Sequence, residues 1–278
     1  MKRTILLVAG LLLTLTAFAA KTAEESKKDV QSLQWHVGPA AEQIGTQATI
    51  KTDATHEFLD DKNTQKFLEL SGNIPLPDHF LLTSPIAGWW AIFHFNPSGY
   101  VKDDEKIDGD ALLKRLKDLD VPVNEERKRL GLTPIYTEGW YIPPHYDIET
   151  KRLEWGLKLK SEGGIFLNYT IRMLGRTGVM SATLVSAPET LDADVKSFKK
   201  ALENYKFNSG EQYSEFKAGD HVAEFGLAAL IAGGAAAVAT KKGFWAVFAG
   251  FFAAFWKLLL AGFAAVVAWV ASKFNRKS

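Results

Sequence analysis

Between Val222 and Lys273 the chain reads VAEFGLAALIAGGAAAVATKKGFWAVFAGFFAAFWKLLLAGFAAVVAWVASK, with Glu224, Lys241, Lys242 and Lys257 as the only charges before Lys273. A run this apolar constrains the whole molecule. In lipid the backbone has no hydrogen-bond partner but itself, so an apolar run of this length reads as membrane helix. Phe225 to Thr240 is one Gly/Ala-rich run, Lys241-Lys242-Gly243 interrupts it, and Phe244 to Ser272 is a second, longer run. A helix rises about 1.5 Å per residue and the hydrocarbon core is about 30 Å thick. The first run is therefore short for a span, and the second is longer than one straight span requires. The expected helices are 223–240 and 244–272, within a membrane tail covering 218–278.

At about 100° per residue, Ala246, Gly250, Ala253, Ala261, Ala264 and Ala268 fall on the side of Lys257, and the large aromatic residues fall largely elsewhere. The first run carries a matching stripe of Gly226, Ala229, Gly233 and Ala237. Small residues let helices approach closely, so Gly226, Gly233, Gly250 and Lys257 are the expected helix-pairing positions. Lys257 has two readings: a buried charge paired with a group such as Glu224, or a lysine snorkelling to an interface. Two crossings as a hairpin would place Lys241-Lys242 at a cytoplasmic turn, as positive residues prefer, but would put Lys273, Arg276 and Lys277 outside. A single crossing reverses that trade. The matched small stripes favour the hairpin, or an oligomer of hairpins.

At the other end, Lys2 and Arg3 precede an apolar run from Ile5 to Ala17, and Ala17-Phe18-Ala19 gives a small-x-small cleavage pattern. This predicts a secretory signal peptide over 1–19, cleaved after Ala19 or retained as an anchor. The chain has no cysteine, so an exported domain here is stabilised by packing without disulfides. Removing Lys2 and Arg3 from 33 basic residues leaves 31 against 32 acidic ones. With no basic stripe, nucleic acid is not an expected partner.

The 20–217 stretch reads as one exported soluble domain. Ile44 to Ile50 alternates and is β-branched, which predicts a strand; Asp60 to Leu70 predicts a short helix. Leu81-Leu82 opens a strand, Gly88 to Phe95 is the strongest strand signal, and Tyr100-Val101-Lys102 is expected to pair with it as a hairpin across Asn96-Pro97-Ser98-Gly99. Asp108 or Asp110 caps a helix from Ala111, with further turns after Pro122. Gly139 to Ile142 (ending at Pro143-Pro144), Arg152 to Leu159, Ile165 to Leu174 and Val179 to Ser186 form a meander, and Pro188 to Tyr205 closes the domain as a helix. The expected fold class is α+β: a mainly antiparallel sheet with packed helices, followed by a C-terminal transmembrane segment or hairpin.

Three segments stand out: Gly99-Tyr100-Val101-Lys102-Asp103-Asp104-Glu105, Pro143-Pro144-His145-Tyr146-Asp147, and Arg172-Met173-Leu174-Gly175-Arg176-Thr177-Gly178-Val179-Met180. Together they resemble a family of bacterial membrane-anchored proteins known only as a domain of unknown function. The resemblance implies a signal peptide, an exported domain and a membrane anchor, with no activity or cofactor attached. The meander followed by PETLDADVKSFKKALENYKF is also similar to the end of sandwiches of the photosystem II subunit P kind, a likeness of fold alone.

Candidate chemistry is sparse. As an EF-hand loop aligned on Gly109, the acidic run offers Lys106 and Arg115 where oxygen ligands belong, which defeats the pattern. A looser calcium site from Asp103, Asp104 and Asp108 stands against a solvated turn with a helix cap. His145 with Asp147 could form a general base with its orienting carboxylate, and Arg172 with Arg176 could bind an anion. Each has a structural alternative in a strand-end turn or an ion pair. No nucleophile, zinc or phosphate-loop motif occurs, and no cofactor is implied. The resulting reading is a non-enzymatic interaction or scaffold protein at the bacterial inner membrane, with its domain on the periplasmic side. Its expected partners are the membrane, other envelope proteins and further copies of itself. The alternative is a ligand-binding, metal-binding or hydrolytic domain with a site near Asp103, Asp104, His145 and Arg172.

Overall fold

The computed structural model describes residues 29–71, 73 and 75–232. The expected signal peptide 1–19 and the tail positions Gly233, Gly250 and Lys257 lie outside the described residues. The strands are β1 (His36–Val37), β2 (Ala40–Ile44), β3 (Ala48–Thr52), β4 (Glu57–Leu59), β5 (His79–Ser84), β6 (Trp89–Asn96), β7 (Tyr136–Asp147), β8 (Arg152–Ser161), β9 (Gly164–Leu174), β10 (Val179–Ser186) and β11 (Tyr205–Phe207). The helices are α1 (Asp61–Leu70), α2 (Gly109–Arg129), α3 (Leu191–Ala201) and α4 (Leu227–Ile231). Eight strands form an antiparallel sheet in the order β1-β4-β5-β6-β10-β9-β8-β7, and β11-β3-β2 form a smaller one. The α+β class with a large antiparallel sheet follows directly.

Successive strand residues point to opposite sides, so the large sheet has two distinct faces. On the closed face, Trp89, Ala91 and Phe93 of β6 join Met180, Ala182 and Leu184 of β10 and Tyr169, Ile171 and Met173 of β9. Ile44, Ala48 and Ile50 of the small sheet and Phe198 of α3 complete that cluster. Phe198 sits edge-on, 5.6 Å from the Trp89 ring and 6.4 Å from that of Phe93. The grooved face carries two separate apolar clusters. Phe67 of α1 packs on Leu59 and Leu81. Leu112 of α2 and Leu227, Leu230 and Ile231 of α4 pack with Val101, Leu153, Trp155, Leu174 and Val179.

Several local expectations are corrected. Ile44 to Ile50 is not one strand. Gly45, at φ 60°, turns the chain, so β2 and β3 form a hairpin in which Ile44 pairs with Ala48. Tyr100–Lys102 does not pair with β6, because β5 and β10 already occupy both edges of that strand. Tyr100 bridges Val222 instead. Helix α2 runs unbroken through Pro122. That turn is solvent-facing, with Val121 and Val123 at 65% and 50% exposure, so water can take the carbonyl that the proline leaves free. Strand β7 continues through Pro143-Pro144, which an edge strand tolerates because its outer side has no neighbour to bond. The closing helix ends at Ala201, and Tyr205–Phe207 pairs with β3.

Only the start of the apolar run, as far as Ala232, lies among the described residues. No helix among the described residues is long and apolar enough to cross a membrane. The first part of the expected 223–240 helix is the short α4, whose Leu227, Leu230 and Ile231 are buried against the domain. Gly226 is the residue before it and lies against the Glu105 side chain.

Candidate functional site

The first and third of the distinctive sequence segments hold one strap, residues 208–232, and the second braces the first. Tyr100 donates its N–H to the His221 carbonyl (2.8 Å) and accepts from Ala223 (2.9 Å). Tyr213 donates its hydroxyl to the Val101 carbonyl (2.9 Å), and its ring stacks on Tyr100 at 4.3 Å. The Glu105 carboxylate accepts from the Ala228 N–H (2.9 Å) at the start of α4. Gly99 has φ 86°, and any Cβ there would collide with His221, so the close approach requires glycine. From the third segment, Arg176 holds Asp220 through Nε and Nη2, both at 2.7 Å, a bidentate fork. Those bonds pull the Asp220 carboxyl down to about 2. From the second, Tyr146 donates to Asp103 (2.8 Å), as does Lys151 (2.8 Å). Burial alone would raise the Asp103 pKa, but these bonds outweigh it and the net shift is downward.

The other predicted site residues are scattered. Asp108 caps α2 by accepting from Ala111 (3.0 Å), and Asp104 is exposed. Among the described residues no three His, Asp or Glu side chains are placed to hold a metal. Asp147 accepts from Thr150 and Glu149 in the turn after β7, so its carboxylate is engaged there and does not orient His145. His145 lies 3.5 Å from Glu154 instead. Buried Glu154 also takes Lys199 at 2.6 Å and the Tyr169 hydroxyl, joining β8 and β9 to α3 on the closed face. Arg172 points to the opposite, grooved face. Its register neighbour is Leu153, whereas His145 pairs with Glu154. Asp103, His145 and Arg172 therefore do not share a site, and Arg176 is held by the strap apart from Arg172.

The grooved face offers a better-formed candidate. Between α1 and α2 lies a groove of about 410 Å³ with Trp90, Asn168 and Val185 on its floor and Arg127 at its wall. Its floor strands carry polar residues where a core would carry apolar ones. Arg172, Ser181, His94 and His79 are successive register partners across β9, β10, β6 and β5. Neighbouring strands are about 4.8 Å apart, so these four side chains form a row across the sheet. Thr170 and Thr183 form the next row and bond each other at 3.1 Å. Two buried atoms on the floor strands have no hydrogen-bond partner, Asn168 Oδ1 and Arg172 Nε. Arg172 lies over the Trp155 ring at 5.8 Å, and burial pulls its pKa down to about 10. It remains a cation at neutral pH.

A second cavity, about 200 Å³, lies where the small sheet meets α3 and is lined by His56, Ser197 and Lys200 among others. Asp53 accepts from His56 Nδ1 at 2.8 Å, which assigns the proton to Nδ1 and leaves Nε2 a buried acceptor without a partner. Thr55 holds the Asp53 carboxyl at about 2, so it stays ionised. Ser197 accepts from Trp89 Nε1 at 3.2 Å, and no hydrogen bond joins it to His56. The dyad is oriented, but it lacks the nucleophile contact that acyl transfer requires.

A family profile described as "Protein of unknown function (DUF2167)" matches residues 36–264. The chain belongs to the DUF2167 family. No curated protein matches it in sequence. Among solved structures, cyanobacterial PsbP (CyanoP) from Synechocystis sp. PCC 6803 is 9% identical, with 64% of this chain and 93% of that one covered at a TM-score of 0.35. The Saccharomyces cerevisiae Ran-binding protein Mog1p is also 9% identical, with 66% and 100% covered at a TM-score of 0.36. In this DUF2167 chain, sequence reading singled out Arg172 but not its row, because register partners on different strands are invisible before the strands pair. The Asp53–His56 dyad carried a faint signal, an Asp-x-x-His turn that puts carboxylate and imidazole within reach.

Proposed function

We propose that this DUF2167 protein is an exported, membrane-tethered interaction domain of the bacterial envelope, working by binding and not by catalysis. The observation that carries this reading is the strap. Its bonds to Gly99–Glu105 and Arg176–Thr177 fix the chain as far as Ala232, and the apolar run continues from Gly233 in sequence. Such an arrangement couples the domain firmly to whatever holds the tail, as suits a protein that presents a surface at a fixed height and orientation. The signal-peptide pattern at Ala17-Phe18-Ala19 supports export, and Lys241-Lys242 supports an inner-membrane tail. The membrane and other envelope proteins are the partners this reading implies.

The test is protease treatment of spheroplasts expressing the full chain, followed by crosslinking and mass spectrometry of the membrane fraction. The reading predicts that added protease degrades the domain while a cytoplasmic marker survives, and that defined envelope proteins are crosslinked. A domain that stays protected until the cells are lysed, or that fractionates away from membranes, would overturn it.

A further inference from the structure

We infer that the row Arg172–Ser181–His94–His79 on the grooved face binds a phosphate group, free or carried on a larger molecule. This inference does not depend on where the protein resides.

The argument begins with an imbalance. Arg172 makes no hydrogen bond or ion pair among the described residues, its Nε is buried, and its only specific contact is the Trp155 ring. An uncompensated guanidinium in such a place is costly and calls for an anion. The grooved-face residues of β8, β9 and β10 around it include no Asp or Glu: Leu153, Trp155, Thr170, Leu174, Val179 and Thr183. The apolar tail cannot supply the charge either, since residues 225–278 contain no acidic side chain.

The rest of the row specifies the anion. Ser181, beside Arg172 in the row, is buried and brings a hydroxyl to the same face. His94 Nδ1 lies 3.2 Å from the Asp78 carbonyl, and His79 Nδ1 lies 2.6 Å from that of Pro77. A carbonyl only accepts, so both rings carry the proton on Nδ1 and leave Nε2 uncommitted. The two rings stack at 4.4 Å, and burial lowers the His79 pKa, with His94 adding to the effect. A carboxylate is satisfied by one guanidinium fork. The Arg172 guanidinium and the Ser181 hydroxyl can donate to phosphate oxygens, while the Nε2 lone pairs of His94 and His79 can only accept, from the P–OH of a protonated phosphate, a hydrogen that a carboxylate does not carry. Packing over the Trp155 ring at 5.8 Å restrains the Arg172 side chain, which reduces the entropy lost on binding.

The experiment uses the full chain in maltoside micelles, which carry no phosphate. Inorganic phosphate is titrated by calorimetry, with chloride matching ionic strength. The expected result is saturable binding, weakened at least tenfold in Arg172→Met and several-fold in Ser181→Ala. Without phosphate, Arg172→Met should melt no lower than the wild type, because it removes an unpaired buried charge. Should Arg172→Met fail to fold, Ser181→Ala carries the test alone. No binding in the wild type, or equal binding in the wild type and both variants, overturns the inference. Glu24 and Glu25 are the remaining acidic residues that precede residue 29. Binding seen only in the Glu24→Gln, Glu25→Gln variant would show that the row is neutralised internally, which also overturns it. A soluble short-chain phosphatidylglycerol separates the two sources. If it displaces phosphate at the same residues, the occupant is a lipid headgroup; if it does not, the occupant is a free phosphate or a soluble ester.

Discussion

On its closed face the large sheet presents Trp89, Phe93, Tyr169, Ile171, Met180 and Leu184 to Phe198 and the small sheet. On its grooved face the same strands present Asn168, Thr170, Arg172, Ser181, Thr183 and His94. One face is a continuous apolar layer, and the other is two apolar clusters with a polar strip between them. Burial of apolar area supplies stability at about 25 cal/mol per Å², whereas buried groups without partners subtract from it. The difference teaches that one side of a sheet can hold the fold together while the other is left free to bind.

The strongest way to break this comparison is Phe198→Ala. Phe198 is fully buried between α3 and the sheet, and its loss should cost about 3–5 kcal/mol in denaturant unfolding. A cost below about 1 kcal/mol would mean that the closed face does not carry the stability assigned to it. A smaller effect is expected from Lys199→Met, which leaves the buried Glu154 carboxylate with Tyr169 and His145 but without its cation. Lys199 is 43% exposed, and solvent screening limits the loss to about 1–3 kcal/mol. The companion Glu154→Gln, Lys199→Met should recover part of it, which a double-mutant cycle reads directly.

The smallest global effect, and the most local, belongs to the strap. Arg176→Gln should speed amide exchange across 211–223 while leaving the core strands protected. Its pH counterpart has a defined sign. The Asp220 carboxyl is held at about 2 in the folded protein, below its ordinary value of about 3.9. Its contribution is therefore complete above pH 4 and is lost as pH falls from about 4 toward 2. Strap exchange that stays unchanged over that interval would show that the Arg176–Asp220 fork does not hold it.

The parts of the fold legible in sequence were those set by local periodicity. The Arg152–Ser186 meander and α1, with Asp60 as its cap, follow from alternation, glycine turns and capping chemistry. Failures came where tertiary context overrode local signals. Pro143-Pro144 looked like a strand end, yet it lies where an open edge removes the cost. Tyr100–Lys102 looked like a hairpin arm because its neighbour in sequence was a strong strand, while its partner lay more than a hundred residues away. The candidate site was less legible still. Arg172 was visible as a lone cation; the Ser181, His94 and His79 that stand beside it came from strands whose order no spacing revealed.

Strand β7 ends the large sheet on one side with two prolines in its middle, and β1 ends it on the other with only two residues. Among the described residues, prolines interrupt the ladder of free N–H groups on one rim and brevity limits it on the other. Copies crowded side by side therefore have no ready route to zip their sheets into a common fibril. A protein gathered at high local density can stay a population of separate molecules, associating only through the surfaces meant for it.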